Sequence, residues 1–286
     1  MELSAAATRI LAGLLEARTG QQLSTGRQWR LDTALVPIMR ARGIESVDLL
    51  VAALVGGRDA RLADAVIEAL LNNETSFFRD HGPFQQLMGP VLSRLHSARA
   101  GARRLRVWSV GCSTGQEPYS LAMGLAEQAD LWRGWTIDIQ ATDVSRSATA
   151  RAREGLYTQF EVQRGLPVRQ LLRWFDREGE QWRLVQALRE KVRFHVHSLT
   201  EPMPLPGMFD VILCRNVLLY FPPPMRRAVL DRLGRAIAPD GVLMLGAGET
   251  IIDQTERFEP DPAARGFYRL RETPRPIQLA AIPGFA

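Results

Sequence analysis

Five residues between an apolar run and a helical pattern, Gly111-Cys-Ser-Thr-Gly115, are where spacing first suggests chemistry. Two glycines four apart let the backbone turn sharply at a strand end and approach a ligand closely, and the free N–H groups of the following helix point at it. The spacing is neither the Gly-x-Gly-x-x-Gly of dinucleotide folds nor a phosphate loop, since no lysine follows Gly115. It predicts a nucleotide-like ligand without a polyphosphate; a purely structural turn between strand and helix is the alternative. Asp143 closes the next apolar run, Trp135 to Asp143. An acid at that tip accepts hydrogen bonds from ribose hydroxyls in nucleotide-binding α/β folds, or else it caps the helical segment Arg146 to Arg153. The stretch Asn72-Asn-Glu-Thr-Ser-Phe-Phe-Arg-Asp80 sets donors and acceptors around two aromatics. That suits a linker folded over a ligand, and equally an interdomain turn.

Such groups need a scaffold that brings strand ends together. Leu105 to Val110 reads as a strand entering the loop, and Pro118 sits in the first turn of the next helix, where a missing N–H costs nothing. Val192 to Val196 and the apolar run from Phe209 continue the sheet, the latter emerging at Arg215-Asn216. A helix from Pro223 to Ile237, a turn at Pro239-Asp-Gly241, and strands at Val242 to Leu245 and Phe267 to Leu270 complete it. Ligands of open parallel sheets sit off the carboxyl ends, so Gly111, Asp143, Ser198 and Asn216 are predicted to converge on one crevice. Residues 1–72 read as a helical unit, with apolar faces at Ile10, Leu11, Leu14, Leu15 and at Leu31, Leu35, Ile38, Met39, stops at Gly20 and Gly43, and an N-cap at Ser46. Residues 73–98 form a linker and connecting helix, 99–272 the α/β domain, and 273–286 a Pro-rich tail predicted to be mobile. Within 157–190 the alternation breaks into a helix at Leu171 to Phe175, a hairpin turn at Arg177 to Gln181 and a strand at Trp182 to Val185. This predicts a small insertion packed on an edge of the sheet.

Composition bounds the function. The 286 residues carry a net charge of +5, and Lys191 is the only lysine among 36 basic residues. Arginine forks suit carboxylates and phosphates, although a coding bias toward arginine explains the same fact. Arg27, Arg30, Arg40 and Arg42 face a single acid, Asp32; they make either a solvated helix face or a docking surface for an acidic partner. There is no apolar run of about 18 residues and no basic segment followed by an apolar core at the start, which predicts a cytoplasmic protein that does not insert into a membrane. The two cysteines, Cys112 and Cys214, read as small buried apolar residues. His195 and His197 alternate on a strand with no third ligand nearby, so no metal is predicted.

Four blocks occur in order: Asn73-x-Thr75-x-Phe77-Phe78-Arg79, Ser113-Thr114-Gly115-x-Glu117-Pro118-Tyr119-Ser120, Ala141-Thr-Asp143, and Cys214-Arg215-Asn216-Val217-x-x-Tyr220-Phe221. Together they resemble the chemotaxis receptor methyltransferases of the CheR family over nearly the whole chain, as far as Leu270. The resemblance implies a class I S-adenosylmethionine-dependent methyltransferase, an α/β Rossmann-like fold with a mostly parallel seven-stranded sheet, an N-terminal all-α domain and a small inserted β-subdomain. It implies that Asn73, Thr75 and Arg79 reach the cofactor from the linker, and that Glu117 and Asp143 hold its amino-acid and ribose parts or their surroundings. Gly111, Ser198, Leu199, Arg215 and Asn216 would complete the pocket, with Arg79 and Tyr220 as catalytic residues beside the reacting groups. The implied reaction transfers a methyl group from S-adenosylmethionine to glutamate carboxylates on the cytoplasmic helices of methyl-accepting chemotaxis receptors. It yields glutamyl methyl esters and S-adenosylhomocysteine, without a metal. Gln116 stands where many members carry a second acid, and Ser198 where some carry asparagine. The hairpin Glu178-Gly-Glu-Gln181 lacks the Gly-x-Gly turn of members that recognise a receptor's C-terminal pentapeptide, which points to the tether-independent kind.

Two other classes compete. A non-catalytic module that binds S-adenosylmethionine or its product and regulates a partner is opposed by the intact Arg79, Glu117, Asp143 and Tyr220. A nucleic-acid methyltransferase would carry Asn/Asp-Pro-Pro-aromatic directly after the fourth strand, whereas Val217-Leu218 follows Asn216, and basic-aromatic interleaving is lacking.

Overall fold

The computed structural model describes residues 4–23, 28–57, 59–202 and 206–271. Arg27 and the tail predicted to be mobile lie outside the described residues, as does the side chain of Arg30. Four helices come first: α1 (Ala5–Thr19), α2 (Gln28–Arg42), α3 (Val47–Val55) and α4 (Ala60–Leu70). Their starts follow local chemistry, since the side chains of Ser4, Ser46 and Asp59 accept hydrogen bonds from the N–H groups of Ala7, Leu49 and Leu62. Leu11, Leu35, Met39, Leu50 and Val66 meet in a core of their own. A linker leads to α5 (His81–Gln86) and α6 (Leu92–Ala98), joined by a π-turn at Leu87–Val91 that contains Pro90.

The remainder is a seven-stranded sheet with helices on both faces. In chain order it runs β1 (Arg104–Val110), α7 (Gln116–Glu127), β2 (Thr136–Asp143), α8 (Arg146–Glu154), the insertion, β6 (Val192–Val196), β7 (Phe209–Cys214), α12 (Pro223–Ala236), β8 (Ile237–Leu245), β9 (Phe258–Pro260) and β10 (Phe267–Leu270). The insertion contributes β3 (Leu156–Thr158), α9 (Gln159–Gln163), α10 (Val168–Trp174), β4 (Phe175–Glu178), β5 (Gln181–Leu184) and α11 (Gln186–Arg189). The large sheet has the order β6-β2-β1-β7-β8-β10-β9, with β6, β2, β1, β7 and β8 parallel and β10 antiparallel to both neighbours. The order reverses between β1 and β7, which opens a crevice at their carboxyl ends. Every residue of β7 is buried, as a central parallel strand requires.

One expectation is corrected. Pro239-Asp-Gly241 is not a free turn; it lies inside β8, where the register with β7 shifts between Phe209↔Ile237 and Val211↔Val242. The insertion forms a small antiparallel sheet, β3-β5-β4, that packs up to the linker, with Phe77 standing edge-on to Tyr157 at 5.1 Å and to Phe175 at 5.6 Å.

Candidate active site

The crevice at the reversal holds about 620 Å³ of space outside the protein atoms, open solvent included. Its walls come from the linker (Asn73 to Ser76 and Arg79), the glycine loop (Gly111, Ser113), Glu117 on α7, the tip of β2 (Asp143, Val144), the loop after β7 (Arg215, Asn216, Val217, Tyr220), and Gln21, Leu71 and Asn72 of the helical unit. Four residues other than glycine hold positive φ around it: Phe78 (48°), Asp80 (57°), Ser113 (51°) and Asn216 (58°). Such backbone persists only where surrounding contacts over-determine it.

Hydrogen bonds between the linker, the glycine loop and the insertion supply those contacts. The Ser113 hydroxyl donates to the Asn73 carbonyl at 2.7 Å, and the Phe78 N–H donates to the Ser120 hydroxyl at 2.9 Å, so the linker is strapped across the glycine loop and α7. From below, the Tyr157 hydroxyl donates to the Thr114 carbonyl at 2.8 Å. Gly115, at φ 93°, leaves no room for a side chain, because a Cβ there would stand 3.0 Å from Ala152 and 3.2 Å from both tyrosines, Tyr119 and Tyr157.

Asp143 is buried and accepts from the Ser113 N–H at 2.7 Å and the Ser145 N–H at 2.8 Å. Burial raises its pKa, and these two N–H bonds oppose the rise. The capping alternative for Asp143 does not hold, since Ser145 caps α8. Arg215, whose side chain is 3 % exposed, joins three walls. It donates to Glu117 at 3.0 Å, to the Arg79 carbonyl at 2.6 Å and to Asp80 at 2.8 Å. Glu117 also accepts from the Ser109 hydroxyl at 2.8 Å. Two buried side-chain atoms on this wall have no hydrogen-bond partner: Arg215 Nε, a donor, and Asn216 Oδ1, an acceptor. A ligand with both an acceptor and a donor would satisfy them.

Of the residues singled out from sequence, Asn73, Thr75, Arg79, Gly111, Glu117, Asp143, Arg215, Asn216 and Tyr220 line one cleft. Ser198 and Leu199 are not brought to it. Ser198 is spent on a local turn with Thr200 at 2.8 Å, and Leu199 packs on the core beneath α12 while its carbonyl accepts from Arg232. Arg40 is exposed on α2, and Arg42 is ion-paired with Asp59. Burial raises the thiols of Cys112 and Cys214, which are free and inert. His195 bonds Gln140 at 2.8 Å, and burial lowers the pKa of both His195 and His197. Among the described residues no group of three or more His, Cys, Asp or Glu could hold a metal ion.

Sequence reasoning missed Glu249. Its carboxylate accepts from the N–H groups of Asn216 (2.7 Å), Val217 (2.9 Å), Leu218 (2.8 Å) and Gly246 (2.9 Å), and so holds the loop that carries Arg215 to Tyr220. The acid in Gly246-Ala-Gly248-Glu249, directly after a buried strand, was its signal.

A parallel sheet reversing at a glycine loop, with an acid at the neighbouring strand tip, is a nucleotide-binding α/β arrangement, and its match to a methyltransferase family makes it a class I S-adenosylmethionine-dependent methyltransferase. Residues 73–267 match the family described as CheR methyltransferase, SAM binding domain. The chain is 36 % identical over 249 residues to the chemotaxis protein methyltransferase 1 of Pseudomonas aeruginosa, covering 86 % of this chain and 90 % of that one. It is 33 % identical over 254 residues to a chemotaxis protein methyltransferase of Vibrio parahaemolyticus, covering 88 % and 91 %. It is also 34 % identical over 222 residues to the probable biofilm formation methyltransferase WspC of Pseudomonas aeruginosa, covering 76 % of this chain and 52 % of that one. The chain belongs to the CheR methyltransferase family.

Proposed function

We propose that this enzyme methylates the γ-carboxylates of glutamates on the cytoplasmic helices of chemoreceptors, forming glutamyl methyl esters and S-adenosylhomocysteine. The observation that carries the reading is the meeting of Arg79 and Tyr220 with Glu117, Asp143 and Arg215 in one cleft of a chemotaxis-methyltransferase chain. S-adenosylmethionine, when bound, supplies an electrophilic methyl group. The residues fit it. Asn73, Thr75, Gly111, Glu117, Asp143, Arg215 and Asn216 would hold it, and the unpartnered Arg215 Nε and Asn216 Oδ1 match its α-carboxylate and amine donors in kind.

A glutamate with a pKa of about 4.3 is already ionised at neutral pH, so no residue has to remove a proton. What the chain supplies is alignment and a drier site, and alignment of bound reactants is worth about 7–11 kcal/mol. Arg79 orients the carboxylate with its fork, and Tyr220 hydrogen-bonds one oxygen, leaving the other to attack. Residues 1–72 then act as a docking unit, with Arg40 steering the acidic helix, and the insertion 157–190 works without a receptor tether. The enzyme acts in the cytoplasm; among the described residues, no helix is long and apolar enough to cross a membrane.

The WspC relative favours a second reading of the output alone, a receptor serving biofilm formation, with the same chemistry. The test is incubation with methyl-labelled S-adenosylmethionine and receptor-containing membranes, followed by mild alkali. Label released as methanol from a receptor band is expected. Alkali-stable label would move the substrate to nitrogen and overturn the assignment.

A further inference from the structure

We infer that Glu249 is a positioning residue of the methyltransferase site, a latch that sets Asn216 and Tyr220 through the backbone between them. Arg215, Asn216, Val217 and Tyr220 all line the cleft, yet the segment carrying them belongs to no sheet. Arg215 is tied to Glu117 and Asp80 at one end and Tyr220 to Asn72 and Gln22 at the other; between them the backbone is held by one carboxylate from a distant loop. Glu249 Oε2 accepts from Asn216 and Gly246, while Oε1 accepts from Val217 and Leu218 and, at 3.4 Å, from Leu219. Asn216 sits at φ 58°, a conformation that asparagine tolerates but does not choose unaided. With the carboxylate in place, its N–H is directed into Glu249 and its Oδ1 is left buried without a protein partner.

The backbone opposite has been cleared for this arrangement. A Cβ on Gly246 would lie 2.8 Å from the Asn216 nitrogen, 2.9 Å from Asn216 Nδ2 and 2.9 Å from Glu249 Oε2. Gly246 and Glu249 therefore form one device, a cradle and a clasp, and both act on residues of the cleft without lining it. Neutralising the carboxylate as glutamine leaves one acceptor for N–H groups that now share two oxygens, and turns an amide N–H toward other donors. The loop then relaxes, Asn216 leaves its positive φ, and the binding wall is lost while the core beneath it stays.

The experiment is calorimetric titration of S-adenosylhomocysteine into the full chain, which needs no receptor. It uses wild type, Glu249→Gln, Asn216→Ala and the double variant, with urea unfolding of each. For Glu249→Gln the expected result is a loss of affinity of about tenfold or more with a nearly unchanged urea midpoint. Because both changes act on the same loop, the double variant is expected to lose less than the product of the two single losses, by at least about threefold. A latch that merely props the fold predicts independent losses and a lowered midpoint; additive losses overturn the proposal. Gly246→Ala perturbs the same cradle and is expected to lose affinity likewise, so it serves if Glu249→Gln fails to fold. The inference rests on the cofactor-site reading, and the two fail differently. A wild type that does not bind the product sinks the site, whereas wild-type affinity in both Glu249→Gln and Gly246→Ala sinks only the latch.

Discussion

Arg215 is the charge around which the cleft is built. It is almost wholly buried, and it spans Glu117 and the linker turn at Arg79-Asp80 with separate nitrogens of one planar fork. Lysine keeps the charge but cannot span those partners. Arg215→Lys is therefore expected to lose about 2–3 kcal/mol of stability together with affinity for S-adenosylhomocysteine, read by urea unfolding and calorimetry. Unchanged affinity would remove Arg215 from the binding wall. Tyr220 is a different case. Its hydroxyl accepts from the Asn72 amide and its carbonyl from the Gln22 N–H at 2.7 Å, so both ends are fixed by the helical unit. If the hydroxyl contacts the substrate carboxylate, Tyr220→Phe lowers turnover about ten- to hundredfold with product affinity near wild type. A large loss of product affinity would reassign Tyr220 to the cofactor.

Among the elements, α6 is tied to the sheet far from the cleft. Arg99, at its C-terminal cap, donates to Asp210 at 2.8 Å and to Asp240 at 2.7 and 2.5 Å. Asp240 stands in the irregularity of β8 that breaks its register with β7. Its hydrogen bond from Arg99 lowers the Asp240 pKa below the ordinary 3.8, and Asp240 in turn raises that of Arg99. A carboxylate depressed on folding contributes stability that is present above its unfolded value and is lost as pH falls through the folded one. Stability should thus decline below about pH 3.8, more steeply in wild type than in Arg99→Met. The variant should also lose about 3 kcal/mol at neutral pH by leaving buried Asp210 with only the Arg106 N–H; parallel acid limbs would refute the clamp. The elements that sequence reasoning found are those with their own signal. β6 and β10 match the expected runs residue for residue, and α1 stops at Gly20, because apolar runs and glycine stops are local. The three-residue β9 and the irregular start of β8 were not legible, since long-range pairing sets them, and the π-turn at Pro90 lay inside an otherwise helical pattern. The same divide runs through the cleft. Asn73, Asp143 and Asn216 stood in motifs, whereas Glu249 acts 30–33 residues away from the N–H groups of Asn216 to Leu219 that it holds.

At the scale of the whole molecule, well-formed contacts among the described residues seat the helical unit on the methyltransferase fold. Glu68 accepts from the hydroxyls of Ser145 and Ser147 and from the Arg146 N–H, at 2.6, 2.7 and 2.7 Å, across the start of α8. Glu68→Ala should therefore loosen the seat of α4, seen as faster amide exchange in α4 and α8 with β7 protected as before; unchanged exchange would show that the seat does not depend on Glu68. Because Gln22 and Asn72 bond Tyr220, the unit that would meet a receptor also touches the site of transfer. Of the arginine row's described side chains, Arg42 is engaged with Asp59 and Arg40 is exposed; on the proposed reading Arg40 would meet an acidic helix. An exposed charge acts through solvent, over about 10 Å at 0.1 M salt and about 3 Å at 1 M. Arg40→Glu should raise the KM for receptor about three- to tenfold at low salt, leave S-adenosylhomocysteine affinity unchanged, and approach wild type as salt rises. A receptor KM equal to wild type at low salt would show that Arg40 faces only solvent, and a salt-independent deficit would mean that the substitution disturbs α2 rather than steering the partner.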